Sequence, residues 1–162
     1  MTDSRPVFSK ASEKYHRLRI STEPSVYEGL KDVLQRHPFI RTVSYKPDSI
    51  VKRFLQAEID PSRVVPSTGP VSPTLDVEWR FVEEEPYYRI HYADSNSGFN
   101  CGWHRDDDHP DLGPVHFQYN HPGVGESEHT SAQFDKAIPT EILWTALDRL
   151  FEDYIPDLTD TG

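Results

Sequence analysis

Cysteine is nearly absent: Cys101 stands alone in 162 residues. A single thiol excludes an intramolecular disulfide and any zinc site built on paired cysteines. Long apolar runs are missing as well. No stretch of about 18 apolar residues occurs, so no membrane-spanning helix is expected. The opening residues, MTDSRPVFSK, lack the apolar core of a secretion signal, and the chain reads as cytoplasmic.

Positive charge is also in short supply. Lysine and arginine number 17 against 27 aspartates and glutamates, for a net charge of −10. Such a chain holds nucleic-acid phosphates poorly, so any RNA contact needs a local arginine patch. Arginine outnumbers lysine by 11 to 6, and aspartate outnumbers glutamate by 15 to 12. This balance resembles that of proteins from salt-loving archaea. Short carboxylates hold water there, and repulsion is screened as the Debye length falls to about 3 Å at 1 M salt.

The length fits one domain able to bury a sizeable core. The expected organisation is a polar tail over 1–12, a domain over 13–155 and a second tail over 156–162. Ser25 and Glu28 read as a capping box, followed by Val26, Leu30, Val33 and Leu34 at helical spacing. His37-Pro38 ends that helix. Strands are predicted over 41–45, 50–59, 74–82, 87–93, 99–105 and 115–120, separated by turn residues. Pro139 opens a C-terminal helix with an apolar stripe from Ile142 to Tyr154. The predicted fold is α+β: an antiparallel meander of five to six strands, with both helices packed on one face.

One passage is unusually dense. Cys101 to His121, CGWHRDDDHPDLGPVHFQYNH, holds four histidines and four aspartates. Pairing 87–93 with 99–105 places Tyr88 opposite Trp103 and Tyr92 opposite Phe99. Tyr88, Ile90, Tyr92, Cys101, Trp103 and Phe117 then share an apolar face. Arg89, His91, Asn100, His104, His116 and Gln118 share the other. Cys101 thereby leaves the candidate site and reads as a small hydrophobe. Asp106 to Asp108 read as ordinary turn residues, and His129, His37, His16 and His121 as incidental.

Three chemistries suit the polar face. Metal-free phosphodiester cleavage would use two of His91, His104, His109 and His116 as acid and base. Arg89 or Arg105 would hold the phosphate; Tyr87, Asn100 and Gln118 would position the substrate. A metal site could draw on His104, His109, His116, His121 and the aspartates, but the spacing matches no established metal motif. A binding module would use the face, or the acidic surface, without chemistry.

Residues 87–118, YYRIHYADSNSGFNCGWHRDDDHPDLGPVHFQ, resemble the core of the TumE-type toxin family and its haloarchaeal relatives. The matching positions are Gly98, Arg105, Asp106, His109-Pro110 and His116. Asp108-His109 stands where that pattern pairs two histidines, and Phe117 where it has another. The resemblance implies an α+β toxin of a toxin–antitoxin pair, acting on RNA. The expected function is therefore a ribonuclease-like toxin without cofactor or metal, with an antitoxin and RNA as partners and a homodimer as one assembly. A binding or regulatory protein, or a His/Asp metal-binding protein, is the alternative.

Overall fold

The computed structural model describes residues 20–21, 23–120 and 127–156. The expected tails fall outside this range except for Pro156, as do His16 and His121. The elements in chain order begin with β1 (Ile20–Ser21), α1 (Pro24–Arg36), β2 (Ile40–Pro47), β3 (Lys52–Ile59) and β4 (Thr74–Val82). They continue with β5 (Glu85–Ala93), β6 (Asn100–Arg105), β7 (Val115–Asn120), β8 (Glu128–Ser131) and α2 (Pro139–Arg149). A wider helical turn, Leu150–Tyr154, extends α2.

Strands β2 to β8 form a continuous antiparallel meander in chain order, and β1 pairs with β4. The α+β class is as expected, with seven strands in the path rather than five or six. The strand missed from sequence is β8. EHTS is short and polar, and it occupies the sheet edge, where little apolar patterning is needed.

The faces sort as the alternation requires. Both helices pack against Leu55, Leu75, Val77, Trp79, Ile90, Tyr92, Cys101, Trp103 and Phe117, all buried. Leu30 and Leu34 of α1, with Leu143 and Leu147 of α2, supply the opposing surface. Each such side chain contributes about 1.5–3 kcal/mol over its exposed state. Tyr27 locks α1 to the sheet. Its hydroxyl donates to the Arg53 carbonyl at 2.7 Å and accepts from the Trp79 amide at 3.0 Å.

Two local expectations change. Helix α1 starts at Pro24, with Glu23 rather than Ser25 at the cap and no side-chain capping bond. Proline suits the first turn because its missing N–H would have no helical partner. The β5–β6 register is displaced by two residues from the expected one: Tyr88 faces Arg105 and Ile90 faces Trp103. A two-residue shift preserves every face, since side chains alternate with period two. Arg105 shares the phase of Cys101 and Trp103 in either register, and the shift changes only its partner, now Tyr88.

Candidate metal centre

Four neighbouring strands each deliver one histidine to the face without helices. These are His91 on β5, His104 on β6, His116 on β7 and His129 on β8. His104 and His116 are register partners. His129 pairs with Gln118, one step along the same phase as His116. Ring centroids lie 5.8 Å apart for His91–His104, 5.2 Å for His104–His116 and 5.7 Å for His116–His129.

The β6–β7 connection completes the group. Residues 106–114 fold back over the sheet and bring the His109 ring within 4.5 Å of His116 and 4.3 Å of His129. Several bonds hold this fold. The Asp106 amide donates to the Pro114 carbonyl at 3.2 Å, and Gly113 turns the chain at φ 88°. The Ser131 hydroxyl donates to the Leu112 carbonyl at 2.7 Å, tying the loop to β8. Asp106 Oδ1 accepts from the Asp108 amide at 3.0 Å and lies 3.9 Å from His116 Nδ1.

Two overlapping donor sets result: His109, His116 and His129, and His104, Asp106 and His116. Within each set the ligand atoms lie within 4.8 Å of one another. The spacing matches no metal motif because these histidines are split between strands and a loop. The folded-back loop removes that separation.

Burial sets the protonation. His91 and His104 are pushed down to about 4, first by desolvation. Arg89 lowers both further, and the two histidines' mutual proximity lowers His104. Desolvation also lowers His116, against the opposing pull of Asp106. His116 is 1% exposed. These imidazoles are therefore neutral at pH 7, with a lone pair on each ring. Nδ1 of His91, His116 and His129, and Nε2 of His104, are buried without a hydrogen-bond partner. A buried polar atom left unpaired costs about 1–3 kcal/mol, so those of His104, His116 and His129, which belong to the two donor sets, call for an occupant. Metal coordination would satisfy atoms of this kind.

The remaining expected site residues are placed unevenly. Arg89 shares the histidine face and pairs with Asp76 at 3.6 Å. Asn100 hydrogen-bonds His91, and Gln118 donates to Ser127 at 3.3 Å, both on that face. Tyr87 lies at the rim and donates to Asp107 at 3.3 Å. Arg105 is not brought to the histidines. It binds the Pro86 carbonyl and Glu85 on the other phase. His129 joins the group although sequence reading had set it aside. Its signal was a histidine next to a β-branched threonine in EHTS, detectable only once β8 is recognised as a strand.

His37 is a core residue on the helical side. It stacks on Phe151 at 5.1 Å and accepts the Phe39 amide at 3.2 Å. Among the described residues no helix is long and apolar enough to cross a membrane. No protein-family model, no curated protein and no solved structure matches the chain.

Proposed function

We propose that this protein binds a divalent first-row transition ion through His109, His116 and His129. The observation that carries this is the convergence of three imidazoles, with His116 buried at their centre and Nδ1 of His116 and of His129 lacking a hydrogen-bond partner. Imidazole suits zinc, copper, iron and nickel alike. The acidic loop supports the reading, because Asp106 and Asp108 act electrostatically on His116 and complement a dication. Three nitrogen donors leave a position for water, whose pKa a zinc-class ion lowers to about 7. The set is reachable, since His109 and His129 are half-buried. Metal-assisted hydrolysis is the chemistry such a centre supports, with Arg89 as the nearby cation for an anionic substrate.

The metal-free ribonuclease mechanism is less well supported. It needs one charged histidine near neutral pH, whereas His91 and His104 are held at about 4. The toxin role, an RNA substrate and an antitoxin partner belong to this proposal through the resemblance over 87–118. In that version an ion held by His109, His116 and His129 would supply the nucleophilic water in place of a histidine pair.

The test is metal content and affinity of the full chain, prepared without chelator and then stripped. Isothermal titration with zinc, cobalt or nickel is run at low and at multimolar salt. Micromolar or tighter binding that His116→Ala abolishes is expected. A folded chain that binds none of these ions overturns the reading. Growth arrest on expression, removed by His116→Ala, would connect the ion to a toxin role.

A further inference from the structure

We propose that the centre takes two ions, one on each side of His116, with that imidazole shared between them. The inference rests on the metal-binding reading and extends it. Strand β7 lies between β6 and β8. One donor set therefore reaches His116 from the β6 side, through His104 and Asp106. The other reaches it from the β8 side and the loop, through His129 and His109.

The spacing separates the sets. Each has its ligand atoms within 4.8 Å of one another, but the five donors do not form one group at that limit. Two nitrogens on a single zinc-class ion are at most about 4.2 Å apart, twice the metal–nitrogen bond. One ion closes one set by small side-chain rotations and does not span both.

Imidazole has a nitrogen for each side. His116 Nδ1 is turned towards Asp106 Oδ1 at 3.9 Å, is buried, and has no hydrogen-bond partner. The shared imidazole then requires Nε2 on the His109–His129 side. Each ion then has three protein donors, completed by water. Binding the second ion displaces the remaining ring N–H proton to solvent, so a neutral imidazole and two dications become a bridged imidazolate pair and one released proton. The aspartates at 106, 107 and 108 offset the accumulated positive charge.

The experiment is a stoichiometric titration of the stripped full chain with zinc, read by elemental analysis after gel filtration. Two equivalents per chain are expected in the wild type. His129→Ala and His104→Ala should each retain one. With copper(II), the wild type should show magnetic exchange between two ions by electron paramagnetic resonance. Each single variant should give an isolated-ion spectrum. One equivalent in the wild type overturns the two-ion centre and leaves the metal-binding reading standing. Two equivalents without exchange overturn the shared imidazole. No binding by folded protein overturns both readings. The wild-type measurements need no variant, and near-ultraviolet circular dichroism checks that the variants fold.

Discussion

His104 and His116 face one another across β6 and β7 as register partners, their rings 5.2 Å apart and inclined at 62°. Neither ring is placed to share a charge with the other, and burial lowers the pKa of both. The arrangement favours two neutral rings. A cation that coordinates them removes the cost of their unpaired nitrogens, whereas a proton does not.

The metal-free protein should therefore lose stability on acidification. His91 and His104 titrate at about 4 when folded, against the ordinary 6.5. The unfolded chain takes up protons first as pH falls. Their contribution is complete above about 6.5 and is lost between there and about 4, at up to about 1.4 kcal/mol per pH unit for each group. His37, lowered by burial in the helical layer, adds loss in the same direction. Urea midpoints measured from pH 7 to pH 4 check this; a midpoint that does not fall contradicts the assignment of neutral buried histidines.

Gly102 lies directly beneath His91, its register partner. A Cβ there would collide with the Ile90 carbonyl and stand 2.8 Å from His91 Nδ1. The backbone cannot yield without breaking the β5–β6 ladder. Gly102→Ala should cost about 1–3 kcal/mol, as overpacking does, and should shift the His91 ring resonances. Thermal melts and histidine-selective NMR read the two effects. An unchanged melting temperature would mean the strands separate more easily than this packing implies.

Much of this architecture was legible before any coordinates. Alternation in TLDVEWRFV and YYRIHYA assigns Trp79 and Ile90 to the core, and period two makes that assignment insensitive to the two-residue error in register. The site was legible only in part. His91, His104 and His116 fall on one face by the same alternation. His109 could not be placed, because a loop's path depends on tertiary bonds such as Ser131 to Leu112. His129 was lost for a different reason: an edge strand of four residues carries no apolar period. Arg105 misled because it ends a strand; alternation already assigns it the phase of Cys101 and Trp103, where it meets Glu85 and Pro86.

Tyr27 should report on the packing of α1 independently of the histidines. Its hydroxyl makes two bonds to backbone groups of β3 and β4, one of them buried. Tyr27→Phe retains the ring and leaves the Trp79 amide without its side-chain acceptor. The expected loss is about 1–3 kcal/mol, the penalty for an unsatisfied buried group. Denaturant unfolding measures it, and metal stoichiometry should be unchanged. A change in stoichiometry would mean that the helical layer and the histidine face are coupled.

Ser131 offers the sharpest separation of fold from site. Its exposed hydroxyl donates to Leu112, in the loop that carries His109. Removing it leaves the strand pairing of β7 and β8 intact, since that ladder is made by backbone. The loop loses one anchor, and His109 is held less firmly against His116 and His129. A single hydrogen bond of this kind contributes about 1 kcal/mol, which corresponds to roughly fivefold in affinity. Ser131→Ala should therefore weaken zinc binding at the His109–His116–His129 set by about that factor. It should leave the melting temperature of the metal-free protein within a few degrees of wild type. Competition titration with a chromogenic chelator gives the affinity, and calorimetry of the stripped protein gives the stability. Unchanged affinity would show that the loop is held by its own turns and that Ser131 contributes nothing to the centre.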